Sequence, residues 1–322
     1  MTGNSEKLIR ELGDPVEDPE EETFDLFSQS LPSQNLGFID SKAQTLDLTI
    51  AGRDLTIHQS PAVLSSNRAG GTTGAVVWKI SPLFSEFISS PSSNPLFTSS
   101  ILSPTSNVIE LGCGISALVG LLLAPKIGRY VLTDQPYVSK LVEQNIAENH
   151  SSSSTSSSGK KSKSGGKKQS SLSTAAGNGA GRQLVFKPLD WEQDEVSPNE
   201  WGSYDAVIAC DCIYNDALIN PLVETCVDIC RLRQQEEEET EGKEPTVCVI
   251  AQQLRDDTVF EGWLKKFMEE FVVWRVKDEI LPKGLRSTDG FVVHFAVLRD
   301  EYNRLDNGKG GMKEGYIYRK EK

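Results

Sequence analysis

The chain has 322 residues, with 33 Lys and Arg against 46 Asp and Glu, a formal net charge of −13. Its 38 % hydrophobic content supplies a sizeable core but lies below the ~45–50 % of a fully globular chain, so part of the sequence is expected to stay outside the core. The acidic balance argues against broad binding to nucleic acid or anionic lipid, which need clustered positive charge, and it favours a basic partner.

No apolar run approaches the ~18–20 residues of a membrane span. The opening MTGNSEKLIRELGD lacks the apolar stretch of a secretory signal. A reducing compartment is therefore expected, cytoplasmic and possibly also nuclear, with the six Cys as free thiols. With three His and no C-x-x-C pair, no metal site is expected.

Residues 1–39 read as an acidic disordered arm, because Glu11 to Phe27 (ELGDPVEDPEEETFDLF) is charged and broken by proline. A single domain is expected over 40–300. It opens on a β-hairpin, TLDLTI and DLTIHQ around Ala51-Gly52-Arg53. Gly71 to Ser81 reads as a loop entering a helix that runs through Phe87. Five short apolar runs then read as strands: Asn107–Leu111, Arg129–Thr133, Gln183–Pro188, Tyr204–Cys210 and Thr246–Ala251. Helical patterns over Ser116–Ala124, Tyr137–Asn149 and Asn220–Arg233 separate most of them, which indicates βαβ units and a buried parallel sheet. Phe271–Val276 and Phe291–Leu298 read as two antiparallel strands closing that sheet. Two polar stretches interrupt the domain, a Ser/Lys-rich insertion at 151–181 and an acidic loop at 234–244, and a polar tail follows at 301–322. Within the insertion, Lys160 to Lys168 (KKSKSGGKK) reads as a solvated linker, with weak RNA contact or a nuclear signal as its functional alternative.

The sharpest local signal is Val108-Ile109-Glu110-Leu111-Gly112-Cys113-Gly114-Ile115-Ser116, a strand entering a glycine turn and then a helix. Gly112 and Gly114 allow a tight turn and a close ligand approach. A dinucleotide site wants a third glycine where Ala117 stands, and Glu110 would repel a diphosphate. A cationic sulfonium with an α-amino group suits Glu110, so the loop fits S-adenosylmethionine better than a nicotinamide cofactor. Twenty residues past Gly114, Asp134 ends the second strand, where a carboxylate can accept both ribose hydroxyls, cap the next helix, or do both. Leu189-Asp190-Trp191 follows the third strand, beside the expected adenine pocket. Trp191 there can cover the base or simply pack in a loop, and Trp78 reads as core.

At the end of the fourth strand, Cys210-Asp211-Cys212-Ile213-Tyr214-Asn215 reaches the ligand crevice. Asp211 and Tyr214 are expected to project toward the reacting methyl group and align an amine in a desolvated slot. A capping Asp211 and a packed Tyr214 are equally compatible with the sequence. A zinc nucleobase deaminase would need H-x-E and P-C-x-x-C. His58 is followed by Gln59 and Ser60, and neither motif occurs.

GTTGAVVW, ELGCG, LTD, LDW and ACDCIY, in that order, resemble the seven-β-strand protein-lysine methyltransferases of non-histone substrates. The tail segment KGLRSTDGFVVHFAV looks most like the fungal ribosomal branch of that family. The resemblance covers about Asp40 to Arg299 without the polar insertions. It implies a Rossmann-like, seven-stranded class I methyltransferase fold with an N-terminal β-hairpin. It also implies that Trp78, Gly112, Cys113, Gly114, Asp134, Trp191 and Cys210 line an S-adenosylmethionine site, to which the charge argument above adds Glu110, and that Asp211-x-x-Tyr214 faces the substrate lysine. The implied substrate is a large-subunit ribosomal protein of the L1 class. Methylation of RNA or a small amine, or a non-enzymatic ribosome-associated module keeping the cofactor fold, are the alternatives.

Overall fold

The computed structural model describes residues 3–32, 37–68, 71–151, 183–235 and 244–307. The Lys160–Lys168 cluster, most of the acidic loop and the end of the tail lie outside the described residues.

Helices α1 (Asn4–Leu12) and α2 (Pro19–Phe27) precede a hairpin of β1 (Thr45–Ile50) and β2 (Arg53–His58). Helices α3 (Pro61–Leu64), α4 (Ile80–Ile88) and α5 (Pro95–Thr98) follow. The central alternation is β3 (Asn107–Leu111), α6 (Leu118–Leu123), β4 (Arg129–Asp134), α7 (Ser139–Ser151) and β5 (Gln183–Pro188). It continues through α8 (Pro198–Trp201), β6 (Ala206–Cys210), α9 (Ile219–Gln235), β7 (Val247–Gln253) and α10 (Asp257–Glu270). The chain then forms β8 (Phe271–Arg275), β9 (Phe291–Leu298) and α11 (Arg299–Asn307).

Every apolar run read from the sequence is a strand. Seven of them form one sheet in the order β5-β4-β3-β6-β7-β9-β8. β5, β4, β3, β6 and β7 are parallel, and β9 runs antiparallel to both β7 and β8. This is the Rossmann-like class I methyltransferase architecture. Its central strands are apolar on both faces, as a sheet covered by helices on both sides requires. Val108, Tyr130, Leu132 and Ile208 enter one core cluster, while the alternate residues Ile109, Val131 and Val207 enter the other. Strand order reverses between β3 and β6, so the carboxyl ends of those two strands diverge around a crevice.

The arm expected to be disordered is instead helical where it is described. Asp18 caps α2 by accepting from the N–H groups of Glu20 and Glu21, Pro19 occupies the first turn, and Glu20, Glu21 and Glu22 face the positive end of the helix dipole. The residues that read as a broken acidic stretch are a helix start. Leu8, Leu12 and Leu26 are buried, and the Val16 N–H donates to Val273 O at the edge strand β8. Buried Glu22 lies 2.9 Å from His294 Nε2 and 3.3 Å from Arg275.

The tail expected from residue 301 also begins inside α11, where Glu301 is buried and Tyr302 packs edge-on against Trp274. Helix α10 had no counterpart among the patterns read from the sequence. Its buried Phe260, Trp263, Leu264 and Phe267 nevertheless recur at helical spacing. α6 starts at Leu118 rather than Ser116, because Ala117 adopts a left-handed φ of +53°.

Candidate active site

The crevice at the strand-order reversal holds a cleft of about 970 Å³, its open mouth included. Every site residue named from the sequence lines it: Trp78, Glu110, Gly112, Cys113, Gly114, Asp134, Trp191, Cys210, Asp211 and Tyr214.

The glycine loop after β3 is built as its residues suggest. Gly112 and Gly114 have φ of +66° and +58°, a region costly for residues with a Cβ. A Cβ on Gly112 would lie 2.7 Å from Cys212 Sγ and 3.2 Å from the Trp191 ring. The loop is anchored from three sides. Cys113 N donates to Thr133 O (3.0 Å), Ile115 N to Gly74 O (2.9 Å), and Asn145 Nδ2 to Ile115 O (2.7 Å).

Asp134 is tied to that loop directly. Its Oδ2 accepts from the Gly114 N–H at 2.8 Å and its Oδ1 from the Gln135 N–H at 2.7 Å. Each oxygen keeps a lone pair for a further donor. Burial pushes its pKa from 3.8 up to about 6, against the lowering effect of those two N–H groups and of Arg68, with Asp190 adding to the rise. Glu110 sits deeper. Burial lifts it from 4.5 to about 8, with Asp134 adding to the rise and the hydrogen bond from Tyr130 Oη (2.8 Å) opposing it.

Trp191 lines the cleft, and its Nε1 is buried without a hydrogen-bond partner among the described residues. Trp78 donates from Nε1 to Thr73 O (3.1 Å) and packs against Phe38, the rings tilted at 50° with centroids 4.4 Å apart. It is a cleft wall rather than core. Cys210 and Cys212 are free thiols whose pKa values burial raises far above the ordinary range. Cys212 Sγ donates to Leu111 O at 3.2 Å. Both act as small packing groups.

Asp211 departs from the sequence reading. Its φ is +63° and its side chain is only 2 % exposed. Both carboxylate oxygens are bound by Arg255, Nη1 to Oδ1 at 2.7 Å and Nη2 to Oδ2 at 2.6 Å. This carboxylate is committed to a buried ion pair. Tyr214, by contrast, is 41 % exposed at the cleft mouth, and its hydroxyl accepts from Thr73 Oγ1 at 3.0 Å.

The sequence reading missed Arg255, Tyr137 and Arg68. The Arg68 guanidinium lies 4.2 Å from the centre of the Tyr137 ring, and its Nη1 donates to Gln135. No motif flags these residues, since their positions follow from loops meeting in space.

The lining bears on the ligand. Among the described residues of the cleft, Glu110, Asp134, Asp190, Glu192 and Asp211 are acidic and none is Lys or Arg. A diphosphate would meet this acidic lining, the nearby Arg68 and Arg255 being already engaged by Gln135 and Asp211. A cationic sulfonium with an amino group and a ribose diol would find carboxylates, and an adenine would find Trp191. The residues present therefore fit S-adenosylmethionine.

Comparison with known proteins agrees. A lysine methyltransferase family model matches residues 58–161 and 170–257. Ribosomal lysine N-methyltransferase 5 of Zygosaccharomyces rouxii is 28 % identical over 251 residues, covering 71 % of this chain and 76 % of that one. The Candida glabrata protein of that name is 26 % identical over 307 residues, covering 74 % and 84 %. A Schizosaccharomyces pombe protein named diaminohydroxyphosphoribosylamino-pyrimidine deaminase is 30 % identical over 271 residues, which is 83 % of this chain. The chain spans about half of that relative's length, 55 %, and has neither zinc-deaminase motif. Among solved structures, the N-methyltransferase NodS of Bradyrhizobium japonicum superposes with a TM-score of 0.35 at 13 % identity, covering 60 % of this chain and 78 % of that one. With the motifs gathered around one cleft and the family model spanning more than half of the sequence, the chain belongs to the lysine methyltransferase family.

Proposed function

We propose that the protein is an S-adenosylmethionine-dependent protein-lysine N-methyltransferase acting on a large-subunit ribosomal protein of the L1 class. The observation that carries the cofactor is the cation-free, acidic lining of the cleft at the strand-order reversal. Family membership and the printed names of the fungal relatives support lysine and a ribosomal substrate.

When bound, S-adenosylmethionine supplies an electrophilic methyl group on a sulfonium. Asp134 would hold the ribose hydroxyls with its remaining lone pairs, Glu110 the cationic end, and Trp191 the adenine. Trp78 and Tyr214 stand at the mouth, where a lysine side chain enters. Their rings strip water from its methylenes, and the Tyr214 hydroxyl, steadied by Thr73, orients the terminal nitrogen. The amine must arrive neutral, and a desolvated slot favours that form. Asp211, already paired with Arg255, is not the group that takes the proton. Catalysis therefore rests on positioning.

The test is transfer of label from radiolabelled S-adenosylmethionine, with ribosomal proteins and rRNA from a strain lacking the enzyme offered separately. Label on one large-subunit protein supports the reading. Label on RNA alone, or no transfer with cofactor binding intact, overturns it.

A further inference from the structure

We propose that Arg255 is the positioning residue of this site, holding the 211–214 turn in the strained form that aims Tyr214 across the cleft mouth. The turn begins at Asp211, whose left-handed φ of +63° is disfavoured for a residue with a Cβ and persists only where the surroundings impose it. Four hydrogen bonds impose it here. The Asp211 N–H donates to Ala251 O at 2.7 Å, Asp211 Oδ1 accepts from Gln253 N at 3.2 Å, and the two Arg255 nitrogens clamp the carboxylate. A bidentate guanidinium fixes the orientation of the carboxylate as well as its place, which a single point charge does not.

Arg255 is itself held. Its Nη2 donates to Gln253 Oε1 at 2.9 Å, and its guanidinium lies 4.9 Å from the centre of the Trp78 ring. Trp78, in the wall of the cleft, packs a tilted ring against Phe38 and forms an antiparallel bridge with it. The loop after β7 thus ties the turn after β6 to the Trp78 wall. Removing the guanidinium leaves a buried carboxylate without its partner in a backbone conformation that needs one. The Tyr214 hydroxyl then loses its fixed distance to Thr73. Among the described residues no hydrogen bond joins Arg255 to the glycine loop or to Asp134; the turn meets that loop at Cys212, whose Sγ donates to Leu111 O, and the hydrogen-bonding anchors of the cofactor keep their own supports.

The inference rests on the methyl-transfer reading for its kinetic arm only. Arg255→Gln, Arg255→Lys and the neutral pair Asp211→Asn/Arg255→Gln are compared in the full chain. Three readouts are taken: amide hydrogen exchange of residues 211–215, calorimetric affinity for S-adenosylhomocysteine, and label transfer to ribosomal protein. In Arg255→Gln, exchange at 211–215 is expected to quicken about tenfold or more while residues 112–117 stay protected. Turnover is expected to fall about 100-fold through misplacement alone, with S-adenosylhomocysteine affinity held within about twofold because its anchors are untouched. Arg255→Lys recovers part of the turnover.

Unchanged exchange at 211–215, or cofactor affinity falling as far as turnover, overturns the inference. If Arg255→Gln does not fold, the neutral pair is measured instead. Wild-type protection of 211–215 there overturns the inference, and lost protection supports it. If the wild-type chain labels no protein, the functional reading fails, and the exchange result alone decides the role of Arg255.

Discussion

Asn145 in the middle of α7 pairs with His58 of β2 as a neighbouring strand would. Its Oδ1 accepts from the His58 N–H at 2.8 Å and its Nδ2 donates to His58 O at 2.9 Å. One helical turn later, Asn149 does the same to Thr56, at 3.0 Å in both directions. Two side-chain amides at i and i+4 thereby match alternate residues of a strand edge and dock the hairpin on α7. Asn145 also holds Ile115 of the glycine loop. Asn145→Asp keeps the shape but turns a carboxylate toward two carbonyls. We expect a loss of about 2–3 kcal/mol in chemical denaturation, from buried groups left unsatisfied, together with weaker S-adenosylhomocysteine binding.

The cleft of the ligand-free chain should show a characteristic pH dependence. Glu110 titrates near 4.5 when exposed and about 8 in the fold. The folded state therefore binds more protons than the unfolded state between those values. Its stabilising share is complete below the lower value and is lost as pH rises through the upper one. Glu110→Gln should flatten the fall in denaturation midpoint between pH 5 and pH 8. A cationic ligand beside Glu110 should lower its pKa, so binding near neutral pH should release protons. Calorimetry in buffers of different ionisation enthalpy reads this directly.

Gly112→Ala should abolish cofactor binding. The substitution combines a left-handed φ with a Cβ 2.7 Å from Cys212 Sγ. Strain of about 1–3 kcal/mol should lower the melting temperature, and S-adenosylhomocysteine should no longer raise it.

Asp134 and Tyr214 should separate binding from turnover. Asp134→Ala removes acceptors for the ligand and for Gly114 N, and should weaken S-adenosylhomocysteine affinity about tenfold or more, the worth of one or two hydrogen bonds to a charged group. Tyr214→Phe should lower label transfer with cofactor affinity unchanged. Equal loss of affinity in both variants would refute this division.

The N-terminal helices should detach in acid. Burial alone would raise the pKa of Glu22, but the hydrogen bond from His294 and the charges of His294 and Arg275 outweigh it and hold it below 4.5. The contribution of Glu22 is present above pH 4.5 and lost as pH falls through its folded value. Hydrogen exchange in α2 should therefore rise at low pH ahead of the sheet. Glu22→Gln should produce that loosened state at pH 7.

Much of the site was legible in the chain because it obeys local rules. A strand entering Gly112-Cys113-Gly114 permits a left-handed turn that other residues resist, and in a βαβ unit a carboxylate about twenty residues on falls at the end of the next parallel strand. Asp134 could be placed for that reason. Alternating apolar runs likewise fixed the strands, since their period is set by the pleat. The N-terminal arm misled because composition was weighed over position: Asp18-Pro19-Glu20-Glu21-Glu22 is unfavourable as a core and favourable as a helix start.

What the sequence determined by itself is therefore the architecture, the glycine loop and the family, all carried by residues near one another in the chain or at a spacing the fold fixes. What only the tertiary structure decided is the state of those groups. Glu110 carries its proton near neutrality because burial in the finished sheet removes its water. Asp211 is an anchored ion-pair partner because a loop 44 residues away delivers Arg255 to it. Burial and charge pairing depend on what arrives from elsewhere in the chain, and no local pattern encodes that.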